Sequence, residues 1–414
     1  MSNPYVVFVG IDLGSESHQV CVLDAAGNIL GRRRVEQSGA AIGELIGWLA
    51  ERIAKTPAQS VAVALEAPRG AVIDALLERG YALFSINPKQ LDRFRDRYSV
   101  AGAKDDARDA YVLAASLRTD LVHYRALKPD HPLLIRLREL SRTEAALQQD
   151  FRRSANQLWS YLQRYFPGLL RLVPAANELW LFDLLQQTQA LPAQAARLSV
   201  KRLQNLLRAR RIRRFAAQDL HQQLQQPLPL APGVEQALAE QVLLLLPRLR
   251  LLHQQLSDLA DRIDHLLEEM AQPENFPEHR SVEILLSIPG VGRVFTATVL
   301  SEATTPLLER DYHALRALAG VAPVTQQSGK TKLVSMRRAC NARLRNAVVN
   351  SSGVHIHADT RAKQIYARLR CKGNSHSRAL RGVGDRLLHL ICVLLNSDQL
   401  YDPNRREPTH TAAA

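Results

Sequence analysis

Three aspartates, Asp105, Asp106 and Asp109, stand within five residues of a chain whose formal net charge is +14. Two further acids close apolar runs: Asp12 in "YVVFVGIDL" and Glu66 in "SVAVALE". An ionised carboxylate after five apolar residues is costly to bury without a partner or a cation. Several carboxylates converging on hard cations are what two-metal phosphoryl transfer requires, the ions lying roughly 3.5–4 Å apart. Helical spacing puts Asp109 on one face with Asp106 (i, i+3) or with Asp105 (i, i+4). Spacing therefore nominates Asp109 and leaves its partner open. Each group alone has an ordinary reading, since a strand-end Asp caps turns and an acidic first turn complements the helix dipole. In this order along one chain they favour metal chemistry.

The elements that must position them read as α/β. β-branched runs at 5–13, 18–24 and 28–35 form a meander, and a helical pattern at about 39–54 follows. A buried strand at 60–66, a helix from about Arg69, a strand at 81–87 and a last helix carrying the three aspartates complete the series. That element order is the order of a ribonuclease H-like fold. From about Pro129 the pattern is helical, with long amphipathic stretches at 131–167 and 234–270, the second containing Pro247. Two such helices predict an antiparallel hairpin or coiled-coil arm. A third, mostly α unit runs from about Arg280. It opens with "LLSIPGVGRVFTATVLSE", an apolar helix, a Pro-Gly-Val-Gly turn and another apolar helix, as in a helix-hairpin-helix or an ordinary αα turn. The expected division is 1–128, 129–279, 280–402 and a tail at 403–414.

Charge points to the partner. Residues 1–120 hold 14 Lys and Arg against 15 Asp and Glu, so the excess of positive charge lies beyond them. Segment 197–215 has eight basic residues and no acidic one, and from Gly329 onward the ratio is 16 to 5. Such clustering fits a polyanion, most simply nucleic acid. The longest apolar runs fall well short of the roughly 18 residues of a membrane span. Four scattered cysteines without a CxxC pair argue against a zinc ribbon or a disulfide framework. The expectation is a cytoplasmic, nucleoid-associated protein with no membrane partner.

These residues resemble the insertion-sequence-110 transposases, including the insertion-sequence-1111 branch. The resemblance is carried by Gly10-Ile11-Asp12, Leu65-Glu66-Ala67 and Lys104-Asp105-Asp106-Ala107-Arg108-Asp109-Ala110 near one end. Near the other it is carried by Ile288-Pro289-Gly290-Val291-Gly292, Ala319-Gly320-Val321-Ala322-Pro323, Ser328-Gly329-Lys330 and Asn341-Ala342-Arg343-Leu344-Arg345. It implies a RuvC-like domain with Asp12, Glu66, Asp106 and Asp109 as a DEDD tetrad holding Mg²⁺, two per site, with Mn²⁺ as a substitute. Asp105 stands where the family more often has Thr and is an alternative ligand.

The resemblance further implies a C-terminal transposase domain with Ser328 as nucleophile, attacking a DNA phosphodiester to give a phosphoserine intermediate, and an element-encoded structured RNA that helps to choose the site. Without it, Ser335, Ser351 and Ser352 are equal candidates. Lys330, Lys332, Arg337, Arg338, Arg343 and Arg345, with Arg210, Arg211, Arg213 and Arg214, are the expected nucleic-acid contacts, holding phosphates without reading sequence. His355, His357 and His376, not at a helical metal spacing shared with carboxylates, are expected as surface or phosphate-contact residues. A homo-oligomer, dimer or tetramer, is expected because strand exchange needs several cuts. The competing readings are a RuvC-like metal-dependent nuclease using water, a non-catalytic nucleic-acid-binding scaffold, and an actin-like ATPase. The last would need glycine loops that "GVG" at 290–292 and 382–384, in helical and basic surroundings, does not supply.

Overall fold

The computed structural model describes residues 4–53, 56–66, 70–98, 106–128, 130–226, 228–329 and 331–404. Lys104, Asp105 and Lys330 lie outside the described residues. The chain divides into two units, 1–130 and 131–414.

In the first unit, strands β1 (Val7–Leu13), β2 (Ser17–Asp24) and β3 (Ile29–Glu36) form an antiparallel meander. Strand β4 (Val61–Leu65) pairs parallel with β1, β5 (Ala82–Ser85) parallel with β4, and the two-residue β6 (Arg125–Ala126) antiparallel with β5. The order is β3-β2-β1-β4-β5-β6. Helices are α1 (Gly39–Ile53), α2 (Ala71–Glu78), α3 (Pro88–Tyr98) and α4 (Asp106–Thr119).

Side chains alternate across a strand, so the sheet has two distinct faces. Val7, Val9, Ile11, Val61, Val63 and Leu65 pack with α1 and α2. Phe8, Ala62 and Ala64 pack instead with α4. The same alternation puts Asp12 and Glu66 on the α4 face.

The second unit is helical apart from one hairpin. Helix α5 (Pro132–Tyr165) packs against the helix Val234–Met270. Leu134 and Leu137 share one core with Ile263 and Leu266, while Leu158 and Leu162 share another with Val242 and Leu246, so the pair is antiparallel. Pro247 lies inside the second helix without ending it.

The pair is not a bare arm. Helices Leu179–Gln187, Val200–Ala209 and Ala217–Leu224 cover one half, with Trp180, Phe182 and Leu203 fully buried. At the other half Leu137 and Ile263 share their core with helices His279–Ser287, Arg293–Glu302, Ala342–Ala358 and His376–Ser397. The break expected at residue 280 therefore does not interrupt the core. Buried Glu302 reinforces this junction, accepting from Arg142 Nε (2.8 Å), Arg343 Nη1 (2.5 Å) and Asn341 Nδ2 (2.8 Å). Burial would raise its carboxyl, but these donors hold it below the usual range. Among the described residues no helix is long and apolar enough to cross a membrane.

Candidate active site

Asp12 is the sixth residue of β1, and Glu66 follows β4 directly. In the parallel register Ile11 lies opposite Leu65, so the next residues, Asp12 and Glu66, are strand neighbours on one face. Gly10 decides what lies above them. A Cβ there would stand 2.0 Å from the Ala110 carbonyl oxygen and 2.6 Å from the Ala114 nitrogen. Helix α4 thus rests on the backbone of β1, and its first turn, bearing Asp106 and Asp109, is brought to the strand end. Asp109 is buried, 2% exposed, while Asp106 is exposed.

The charges of these acids act on one another. The half-buried Asp12 carboxyl is pushed up to about 6, first by burial and then by the charges of Asp109, Asp106 and Glu66, with Arg95 acting the other way. Arg95, on α3, grips Asp109 with two parallel bonds, Nε to Oδ1 at 2.7 Å and Nη2 to Oδ2 at 2.9 Å. Its Nη2 also lies 3.8 Å from Glu66 Oε2, and it bonds Asp92. A guanidinium therefore stands among the carboxylates as their counter-charge.

Among the described residues no three carboxylate, imidazole or thiol groups are close enough to hold a metal ion as they stand. The donor set nonetheless suits a hard divalent ion: it is all oxygen, it carries several mutually repelling negative charges, and it already hosts a cation in the form of Arg95. Asp12, Glu66, Asp106 and Asp109 would hold such an ion once Arg95 yields.

Sequence reasoning missed both Arg95 and α3. The stretch "PKQLDRFRDRY" is mostly charged, and its short stripe of Leu91, Phe94 and Tyr98 at i, i+3 and i+7 was passed over. The Asn87-Pro88 pair, an N-cap type followed by Pro at the first helical position, is the signal that marks it. Gly10 was legible only as part of a motif.

In the second unit, strands β7 (Val324–Ser328) and β8 (Thr331–Ser335) form a hairpin whose register pairs Ser328 with Thr331. Gly329 takes φ 55°, the left-handed conformation suited to a tight turn. Ser328 is exposed at the tip and Ser335 is exposed at the base. Ser351 and Ser352 are buried, and the Ser352 hydroxyl donates to the Val348 carbonyl at 2.6 Å. The serines left open by sequence are thus reduced to two accessible ones.

The expected phosphate contacts fall into two groups. Lys332 and Arg338 are exposed, Arg337 and Arg345 half-buried, and Arg211 and Arg213 exposed. Arg210 is bonded to Asp183 (2.6 Å) and Arg214 to Glu178 (2.6 Å), both on the exposed rim of the helical half. Arg343 is turned inward to Glu302 and Ser141 (2.9 Å), and burial draws its guanidinium below its usual range. Its guanidinium is engaged within the fold. His355 also departs from expectation. It is buried, its Nδ1 lies 2.6 Å from the Pro289 carbonyl oxygen, and Gly290, at φ 80°, has no room for a Cβ against the His355 backbone. The Pro-Gly turn is occupied in packing on this helix.

Residues 9–167 match a transposase family model, the DEDD transposase of IS110, and residues 282–367 match the model described as Transposase IS116/IS110/IS902 family. The chain is 42% identical over 210 residues to protein y4uE of Sinorhizobium fredii, named as a transposase, covering 51% of this chain and 58% of that one. It is 32% identical over 414 residues to the mini-circle protein for IS117 of Streptomyces coelicolor, also named as a transposase, with 96% of each chain covered. It is 28% identical over 422 residues to the 42 kDa protein of insertion element IS900 of Mycobacterium paratuberculosis, with 99% of each covered. Two family models spanning the acidic centre and the hairpin, together with identity sustained along the whole length, establish that the chain belongs to the IS110 family of insertion-element transposases.

Proposed function

We propose that the protein is a DEDD-type, RNA-guided serine recombinase of the insertion-sequence-1111 branch, cutting and rejoining DNA in the cytoplasm through a phosphoserine intermediate. The observation that carries the reading is the convergence of Asp12, Glu66 and Asp109 through parallel strand register and the Gly10 contact, in a sheet whose order suits a RuvC-like domain.

The Ser328 hydroxyl attacks a DNA phosphorus, forming an O–P bond while the bond from that phosphorus to one deoxyribose oxygen breaks. The freed oxygen takes up a proton, and the serine proton leaves to a base. A deoxyribose hydroxyl of the incoming strand then attacks the phosphoserine, and Ser328 recovers its proton. The ester energy is kept throughout, which a water nucleophile would dissipate. Bound Mg²⁺ or Mn²⁺ would supply stabilisation of charge on the phosphoryl oxygens and on the leaving oxygen. Asp12, Glu66, Asp106 and Asp109 would hold and orient that ion. Arg95 offsets part of their negative charge beforehand.

The exposed Ser328 is held by a hairpin of two strands, a structure of marginal rigidity alone. Bound nucleic acid orders it, and a homo-oligomer with its RNA presents the several strands to be exchanged.

The test is strand transfer on element-end DNA with the RNA and Mg²⁺. Ser328→Ala abolishes joining and leaves DNA and RNA binding intact; Asp12→Asn abolishes it as well. If Ser328→Ala cleaves normally while Asp12→Asn does not, water is the nucleophile and the nuclease reading replaces this one. If neither changes activity, both fail.

A further inference from the structure

Beneath the base of the hairpin lies a cleft of about 440 Å³, bounded by Gly320–Pro323, by Val334–Arg337 and by the helices Thr360–Cys371 and His376–Ser397. Four arginines and one acid face it. The acid is already satisfied: Asp385 accepts from Arg316 Nε (2.8 Å) and Nη2 (2.7 Å) and from the Tyr312 hydroxyl (3.0 Å). Arg337, Arg378 and Arg381 remain, and among the described residues none of the three forms an ion pair. Arg381 is half-buried, and Arg337 Nε is buried without a hydrogen-bond partner.

A buried guanidinium donor left unpaired is unfavourable, and planar guanidiniums match phosphate oxygens in a forked geometry. The lining also includes the apolar side chains of Val321, Pro323, Met336 and Leu369. The cleft therefore offers guanidiniums for a phosphate and apolar side chains for a sugar or base. Its volume lies in the range of small-ligand clefts, roughly 300–1,000 Å³.

We propose that this cleft seats one phosphate-bearing nucleotide of a single nucleic-acid strand that runs past the hairpin. Pro323 at its rim is five strand residues from Ser328, roughly 16 Å at about 3.3 Å per residue. The seat is an anchor, distinct from the proposed nucleophile. It rests on the reading of the protein as acting on nucleic acid and is independent of which group attacks the phosphodiester.

The test is fluorescence anisotropy of the full chain with short single strands of identical sequence in DNA and RNA, measured over a range of salt. Arg337→Gln/Arg381→Gln weakens binding about tenfold or more and reduces the salt slope by about 0.7 for each phosphate no longer neutralised. Val334→Glu, at an exposed position on the cleft wall, produces the same weakening without altering any arginine. Arg248→Gln, at an exposed position on the helix Val234–Met270, changes affinity by less than about twofold. A larger effect on one strand type identifies that strand as the occupant, and equal effects assign the seat to the phosphate chemistry shared by both. Affinity and slope of the double variant matching the parent on both strands, or Arg248→Gln as damaging as the double variant, would overturn the proposal. Ser328→Ala carried alongside binds as the parent does, so failure of the nucleophile assignment is scored separately by strand transfer.

Discussion

The acidic centre and the serine hairpin hold their reactive groups by opposite means. Asp12, Glu66 and Asp109 are fixed by a six-stranded sheet, a strand register and a helix resting on Gly10. Ser328 sits at the tip of a two-stranded sheet whose strand residues are exposed from Thr325 onward, with Leu333 and Val334 open to solvent. One set of groups is placed by the sheet and its helix, and the other group is exposed on a hairpin. The contrast teaches that the carboxylates should respond to changes in packing, whereas the serine should respond to changes in chemistry alone.

The largest effects follow from removing the reacting groups. Ser328→Ala and Asp12→Asn each lower strand transfer by at least about a thousandfold, since residues acting as a unit are not additive; the double variant is then no worse than either single one. An additive loss would mean that the two regions act separately. Melting curves should separate the regions too, because Ser328→Ala leaves the melting temperature unchanged.

Gly10→Ala comes next. The added carbon cannot coexist with the Ala110 carbonyl, so α4 must lift from β1, at a cost of about 3 kcal/mol. Thermal melting of the first unit measures it. An unshifted transition would show that the helix is not held where it positions Asp109.

Arg95→Ala tests whether the guanidinium substitutes for a bound cation. Without divalent metal the variant leaves buried Asp109 unpaired, a loss of about 3–5 kcal/mol. Mn²⁺ or Mg²⁺ should restore the melting temperature of the variant more than it raises that of the parent, with the variant binding metal roughly tenfold more tightly. Equal metal responses would remove Arg95 from the centre.

The smallest effect concerns pH. The Asp12 carboxyl is raised to about 6 in the folded chain against 3.8 as its reference, so the folded state binds more protons between these values. Stability of the metal-free protein therefore falls as pH rises from about 4 to about 6. Asp12→Asn removes that slope and gains about 1 kcal/mol at neutral pH, after allowance for solvent screening at a half-exposed group. Denaturant midpoints of both proteins across the window decide it, and parallel profiles would contradict the coupling of the acids.

Much of this was legible in the residue pattern. β-branched apolar runs located β1, β2 and β4, and the apolar run before Glu66 announced a carboxylate at a strand end. Helical spacing selected Asp109, now found buried, while Asp106 rests on the family motif and Asp105 lies outside the described residues. Arg95 was not legible, because sequence shows a charge without its partners, which are 14 and 29 residues away. Arg343 looked like a phosphate contact because sequence shows a charge without showing its counter-ion, Glu302, across 41 residues. The covered halves of the long helix pair were hidden for a similar reason: amphipathicity reveals an apolar stripe without revealing which helices cover it.

The central claim is that Ser328 carries the DNA during exchange. The direct measurement is to denature an active mixture of protein, RNA, Mg²⁺ and element-end DNA and to map any covalent adduct by peptide mass. A phosphodiester-linked peptide containing Ser328, absent from Ser328→Ala, is the predicted result. An adduct at Ser335 or elsewhere, or none while joining proceeds, would contradict it.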